Sequence, residues 1–236
     1  MSSKSDRNPI LCAIDTNELA RAQSLIAATA GAVGGVKLGL EFFAAHGPDG
    51  IRKAAAGQKN VFLDLKLHDI PNTVAGAVKS ALALDPLLLT IHCGGGPAMM
   101  RASVEARGSA RTKIVGVTVL TSLDDKDLAA VGQSAPAAAQ VERLALLAQE
   151  SGLDGVVCSP QEVAMLRDVC RKDFLLVVPG IRPAGTAVGD QKRVQTPRDA
   201  IAAGADYLVI GRPITEAPDP GAVARDLRRD SMSVGP

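Results

Sequence analysis

Short apolar runs recur along the chain, each followed by a longer stretch in which apolar residues return at helical spacing. The runs are Ile10 to Asp15, Gly35 to Leu40, Asn60 to Leu65, Leu87 to His92, Lys113 to Leu120, Gly155 to Cys158, Phe174 to Pro179 and Asp206 to Gly211. They are too short for helices and alternate too little for strands with one wet face, so they predict strands buried on both faces. The stretches between them, such as Ala137 to Glu150, carry the apolar spacing of helices packed on one side. Pro71, Pro97, Pro160 and Pro213 stand where helices would begin, and Gly152 and Gly204 where helices would end.

Strands alternating with helices in this way predict a closed parallel sheet, a (β/α)8 TIM barrel. The structural competitor is an open doubly wound sheet, which usually carries a Gly-rich turn after its first strand. Here Asp15-Thr16-Asn17-Glu18 follows the first run, which disfavours it. No linker or shift of composition interrupts the pattern, so residues 1–236 read as one domain, with 1–8 as a flexible N-terminal segment.

Composition narrows the function. A chain of 236 residues suits a single barrel, and 47% hydrophobic with 22% charged residues excludes a disordered chain. The net charge of +1 provides no basic field to collect nucleic acid or an anionic membrane. Aromatics make up only 2% of the chain, with no Trp, which argues against a stacking platform for single-stranded nucleic acid. The polar start lacks the apolar stretch of a signal peptide, and no segment has the length of a membrane span, so a cytoplasmic protein is expected. Cys12, Cys93, Cys158 and Cys170 form no C-x-x-C pair and read as reduced core thiols, not as a zinc site.

The chemistry should sit at the C-terminal ends of the strands. Those ends carry Asp15, Lys37 within the second strand, Asp64-Leu65-Lys66-Leu67-His68-Asp69, Thr121, Pro179-Gly180-Ile181-Arg182 and Gly211-Arg212. Residues two apart on a strand share a side, so Asp64 and Lys66 are expected to face one site, with Lys37 on the neighbouring strand. Alternating charges stabilise one another where water is scarce, and a Lys between Asp64 and Asp69 keeps the proton it needs to act as an acid. A salt-bridge ring at the rim is the plainer alternative. Three strand ends supplying charge together favour a site. Gly211, Arg212 and the Pro-initiated helix behind them form an expected anion site, where backbone N–H groups and a forked cation hold a phosphate. The polar, Gly-containing stretch 181–194, with Arg182, Gln191, Lys192 and Arg193, is expected to close over a ligand.

The stretch Phe62-Leu63-Asp64-Leu65-Lys66-Leu67-His68-Asp69-Ile70-Pro71-Asn72-Thr73 closely resembles the signature of the orotidine 5′-monophosphate decarboxylase family. Val36-Lys37-Leu38-Gly39, Val117-Thr118-Val119-Leu120-Thr121-Ser122, Pro179-Gly180-Ile181-Arg182 and Val209-Ile210-Gly211-Arg212-Pro213-Ile214 resemble further motifs, in the family's order and over nearly the whole chain. The resemblance implies a metal-free conversion of orotidine 5′-monophosphate to UMP, without a cofactor, in pyrimidine biosynthesis. It implies that Lys66 donates a proton to C6, that Asp64 faces the reactive carboxyl group, and that Lys37 holds a ribose hydroxyl and Asp64. Asp15 resembles the residue near the ribose and base, and Thr121 the pyrimidine contact. Pro179 belongs to the substrate-binding set, and Arg182, Gln191, Gly211 and Arg212 resemble the phosphate grip. A homodimer is implied, in which Asp69 enters the partner's site with Ile70 and Thr73 nearby.

Two other readings follow from the same residues. Metal-dependent sugar-phosphate lyases of the superfamily also carry D-x-K-x-x-D, but typically with a Glu metal ligand where this chain has Lys37. A catalytically silent phosphate-binding barrel is the other. The remaining motifs are bland: His68 and His92 near the mouth are not needed as bases, and His46 reads as a surface residue. Gly94-Gly95-Gly96 lacks the Lys-Ser/Thr ending of a phosphate loop and reads as a tight turn, and Arg225 to Arg229 reads as a solvated helix face.

Overall fold

The computed structural model describes residues 8–133, 136–182 and 195–233. The apolar runs form eight strands: β1 (Ile10–Ile14), β2 (Gly35–Gly39), β3 (Val61–Leu67), β4 (Leu88–His92), β5 (Lys113–Val117), β6 (Gly155–Val157), β7 (Leu175–Val178) and β8 (Tyr207–Ile210). Each pairs in parallel with the next, and β8 pairs with β1 through Ile10↔Leu208 and Cys12↔Ile210, so the barrel closes and no sheet edge is left open.

Closure explains the missing alternation. Leu11, Ala13, Phe62, Leu88, Val115, Val177, Tyr207 and Val209 fill the barrel interior. Their chain neighbours, among them Ile10, Cys12, Leu63, Leu89 and Leu208, pack outward in the layer shared with the helices. Both sides of each strand are therefore dry, and the two-residue period separates two apolar layers instead of separating core from water.

The helices are α1 (Leu19–Thr29), α2 (Leu40–Ala54), α3 (Pro71–Leu82), α4 (Gly96–Arg107), α5 (Asp125–Ala130), α6 (Ala137–Glu150), α7 (Val163–Val169), α8 (Pro197–Ala202), α9 (Arg212–Thr215) and α10 (Pro220–Met232). Pro71 opens α3, and α6 spans the expected Ala137–Glu150. Gly152 and Gly204 follow the helix caps with φ of 86° and 110°, values that a side chain would make costly. The glycine run after β4 forms a single 3-10 turn, Cys93–Gly95, leading into α4, as its lack of a phosphate-loop ending predicts. Arg225 and Arg229 lie on the exposed face of α10, whose Leu227 is buried.

Several boundaries differ from expectation. β5 stops at Val117 instead of continuing to Leu120, while β3 runs on to Leu67, its register with β4 slipping between Leu63 and Leu67. Asn8, placed with the flexible start, is anchored: its Nδ2 donates to the Ala32 carbonyl at 2.8 Å and its Oδ1 accepts the Ile10 N–H at 3.1 Å. His46 is partly exposed at the surface, but tied there: its ring lies 4.8 Å from that of Phe42, and Nε2 is 2.7 Å from the Asn17 carbonyl. All four cysteines are buried free thiols, and burial pushes Cys12 and Cys93 up to about 12, which keeps them protonated and unreactive.

The N-terminal ends of the later strands are tied by a repeated device. Asp154, just before β6, accepts the Ile114 N–H of β5 at 2.9 Å and pairs with Arg107 of α4. Asp206, just before β8, accepts the Leu176 N–H of β7 at 2.9 Å and pairs with Arg167 of α7 at 2.8 Å. Each clamp joins a helix to two strands at the end of the barrel opposite the expected chemistry, which leaves the other end free to vary. No helix among the described residues is long and apolar enough to cross a membrane.

Candidate active site

A cavity of about 450 Å³ opens at the C-terminal end of the barrel. Its apolar floor includes Ala13, Phe62, Val117, Val157 and Val209, the inward positions of the last strand turns. Its polar lining includes Asp15, Lys37, Asp64, Lys66, Thr121, Arg182 and Arg212. The expected residues of six strands therefore meet in one place, because parallel strands in a closed barrel all end on the same rim.

The charges form a chain. The Lys37 ammonium donates to Asp15 Oδ1 at 2.9 Å and stands 3.8 Å from Asp64 Oδ2. Lys66 Nζ donates to the same Asp64 oxygen at 2.7 Å. Lys37 and Asp64 are largely buried, with side-chain exposures of 11% and 14%, so water screens them little and the pairing must offset the loss of hydration. Gly39, in register with Asp64, makes room for this arrangement: a Cβ there would lie 3.3 Å from the Lys37 ammonium.

Simple alternation does not deliver Lys66. Between Leu63 and Leu67 the register shifts: Leu63 pairs with Leu89, and Leu67 with Ile91. Lys66 takes φ 47°, the left-handed region that non-glycine residues seldom occupy. A bulge of this kind re-aims a side chain next to a site. Its irregular backbone is held by a residue that the sequence reading missed. Thr90, fully buried on β4, accepts the Lys66 N–H at 2.8 Å and donates from Oγ1 to Asp64 Oδ1 at 3.0 Å. The available signal was a polar residue inside the apolar run Leu88 to His92, two positions before His92 and therefore on the same inward side.

His68 and His92 stack with ring centroids 5.2 Å apart, beside the Gly94–Gly95 turn. Burial holds His92 below the usual histidine range, and the positive charges of His68 and Lys66 push it the same way. A neutral His92 is thus favoured next to the Lys66 cation.

At the other side of the cavity, Gly180 takes φ 77° and turns the chain after Pro179. Ile181 then bridges to Gln195, and the Arg182 N–H donates to the Gln195 carbonyl at 3.0 Å, so the two stems of the 183–194 stretch are joined. Gln191, Lys192 and Arg193 lie outside the described residues. Arg182 is held below the usual arginine range by burial and by the adjacent Arg212 charge, while Glu216 acts in the opposite direction. Two guanidinium groups repelling one another beside a cavity are suited to share an anion. Gly211 lies against the cavity wall, where a Cβ would sit in van der Waals contact, 3.4 Å from Ala13 Cβ and 3.5 Å from Asp15 Oδ2. The helix behind it, α9, is only four residues long, so N–H groups and guanidinium groups, more than a helix dipole, carry the anion-binding argument.

Three expected residues are not in this cavity. Asp69 and Ile70 are exposed on the β3–α3 connection and Thr73 in the first turn of α3, and Asp69 Oδ1 accepts the Ile70 N–H at 2.7 Å. Lys66 is therefore not held between two carboxylates of its own chain: among the described residues Asp64 alone is its ion-pair partner. The reason is geometric, because Asp69 lies past the end of the strand on a turn that leads outward to α3. Among the described residues no group of three or more His, Cys, Asp or Glu side chains is placed to hold a metal ion.

Known proteins share the sequence and the architecture. A decarboxylase from Novosphingobium aromaticivorans named orotidine 5′-phosphate decarboxylase is 55% identical over 93% of this chain and 97% of its own length. One of the same name from Paramagnetospirillum magneticum is 52% identical over 94% of this chain and 98% of its own length. The crystal structure of orotidine 5′-phosphate decarboxylase from Lactobacillus acidophilus superposes with a TM-score of 0.84 at 35% identity, covering 95% of this chain and 99% of that one. The family model described as orotidine 5′-phosphate decarboxylase / HUMPS family matches residues 8–227, and on these grounds the chain belongs to that family.

Proposed function

We propose that this chain decarboxylates orotidine 5′-monophosphate to UMP, with Lys66 as the proton donor to C6. The observation that carries the reading is the Lys66–Asp64 ion pair, 2.7 Å long, in a cavity that also exposes Arg182 and Arg212. The arginines and Gly211 take the phosphate, and Thr121 and Pro179 meet the pyrimidine. Lys37 and Asp15 face the ribose. With the phosphate anchored, C6 is directed to the charged side of the cavity.

The bond from C6 to its carboxyl carbon then breaks. CO₂ leaves without the bonding electron pair, which stays on C6. The Lys66 ammonium stabilises that charge and transfers a proton to it, giving the C6–H bond of UMP and a neutral amine that water reprotonates. Asp64 beside the reacting carboxylate opposes its charge, and the repulsion is relieved as CO₂ departs. Binding at the remote phosphate contributes to the barrier reduction by fixing the base in place. Lys37 supports a reaction without a divalent ion, since its ammonium stands between Asp15 and Asp64, where a metal would have to compete with a fixed positive charge.

The test is the loss of orotidine 5′-monophosphate absorbance with purified protein in excess EDTA. Conversion to UMP is expected. Failure to convert it, with activity on a sugar phosphate only after magnesium is added, would establish the metal-dependent lyase instead.

The exposed residues from His68 through the first turn of α3, with Ile70 66% exposed, support a homodimer in which Asp69, Ile70 and Thr73 complete the partner's ribose site. Mixing Asp69→Ala with Lys66→Ala protein should restore part of the activity, because a mixed dimer holds one intact site. No gain over the separate variants would mean that Asp69 serves its own chain. The buried free thiols suit a reducing cytoplasm, and the substrate is a small molecule, with no nucleic acid or membrane partner.

A further inference from the structure

We infer that Thr90 is a positioning residue for the decarboxylation, its single hydroxyl fixing both the Asp64 carboxylate and the left-handed backbone of Lys66 in their reactive arrangement. The inference rests on the assignment of Lys66 and Asp64 made above.

The chemistry of a hydroxyl makes the assignment directional. Thr90 Oγ1 accepts the Lys66 N–H at 2.8 Å, which occupies a lone pair. Its one proton is then free to be given to Asp64 Oδ1 at 3.0 Å. Asp64 Oδ2 is already committed to Lys66 Nζ at 2.7 Å, with Lys37 Nζ at 3.8 Å. The two carboxylate oxygens are thus held from opposite sides, and rotation of the carboxylate plane would break a contact whichever way it turned.

The backbone half of the contact matters as much. Lys66 sits where β3 and β4 fall out of register, between the Leu63↔Leu89 and Leu67↔Ile91 pairs. Its φ of 47° costs free energy that surrounding contacts must offset. Thr90 is fully buried on the strand opposite, so no water competes for its hydroxyl. A proton donor misplaced by an ångström loses much of its effect, so a contact that sets the donor's own backbone acts on the chemical step. Thr90 does not line the cavity and touches no position assigned to phosphate, base or ribose. Its effect should therefore appear in kcat and not in KM.

The experiment compares Thr90→Val, which keeps the shape and removes the hydroxyl, with Thr90→Ser, which keeps the hydroxyl. Turnover of orotidine 5′-monophosphate by the unaltered protein is measured first. Its absence would remove the functional reading and this inference with it. With turnover established, Thr90→Val should lose about tenfold to a hundredfold in kcat, the range expected for one hydrogen bond to a charged group. Its KM, and its affinity for UMP, should stay within about threefold, and Thr90→Ser should return kcat to within about threefold of the starting value. Should Thr90→Val fold poorly, Thr90→Ala removes the hydroxyl without placing a methyl against the carboxylate and should show the same split. An unchanged kcat in a folded variant lacking the hydroxyl overturns the inference and leaves the functional reading intact. So does a parallel loss of kcat and UMP affinity that Thr90→Ser fails to rescue, which is the behaviour of a packing residue.

Discussion

Replacing Lys66 by Ala removes the ammonium that stands 2.7 Å from Asp64, and the described residues offer no substitute for it. Among the described residues Lys37 is the other amine lining the cavity, but its Nζ is held by Asp15 at 2.9 Å and lies 3.8 Å from the Asp64 carboxylate. A positioned general acid contributes about 10² to 10⁴ in rate, and a fixed charge aimed at developing negative charge about 10² to 10³. Lys66 is assigned both roles, so Lys66→Ala should lower kcat by about 10⁴ to 10⁷, or roughly 5 to 10 kcal/mol of barrier. Asp64 keeps Lys37 and the Thr90 hydroxyl as partners, so the variant should still fold. UMP carries no carboxylate at C6, and the residues assigned to its phosphate and base are untouched. Its dissociation constant, read by calorimetry, should change by no more than about tenfold. The assay pairs that titration with the absorbance decay of orotidine 5′-monophosphate at saturating concentration. A Lys66→Ala protein that turns over within about tenfold of the starting rate would refute the proton-donor role. Parallel loss of turnover and UMP binding would show instead that Lys66 builds the pocket.

Arg212→Ala should raise KM for the phosphorylated substrate by about tenfold to a hundredfold while leaving turnover of the phosphate-free nucleoside nearly unchanged; equal losses on both substrates would contradict a phosphate role. His92, held below the ordinary histidine value mainly by burial, favours its neutral form in the fold. Stability from this source is complete above about pH 6.5. It is lost as pH falls toward the depressed folded value, because the unfolded chain takes the proton first. His92→Gln should therefore flatten the fall in urea midpoint between pH 7.5 and 5.5, and an unaltered slope would count against it. Arg167→Ala removes the 2.8 Å ion pair to the buried Asp206 carboxylate at the far end of the barrel. It should cost about 3 kcal/mol in urea unfolding with kcat unchanged, and a matching loss of activity would show that the two ends of the barrel are coupled.

Much of this molecule is legible in its residue order. Eight doubly buried strands and the helices between them follow from the apolar spacing, since a closed barrel demands dryness on both strand faces. That the charged residues at strand ends share one cavity could be expected without coordinates, because parallel strands bring their C-terminal ends to one rim. Local rules also placed the glycines after α6 and α8 and the proline that opens α3.

The rest depended on contacts between residues far apart in the chain. Two-residue alternation put Asp64 and Lys66 on one side, but the slipped register and left-handed φ that aim Lys66 arise only against β4, which supplies Thr90 from 24 positions away. Alternation likewise could not show that Asp69 turns out of its own cavity, nor that His46 is held by Asn17 across 29 positions. Apolar periodicity is a property of neighbouring residues and survives in the bare sequence. The direction of a particular charge is decided by what packs against it, and that partner is chosen when the strands close on one another.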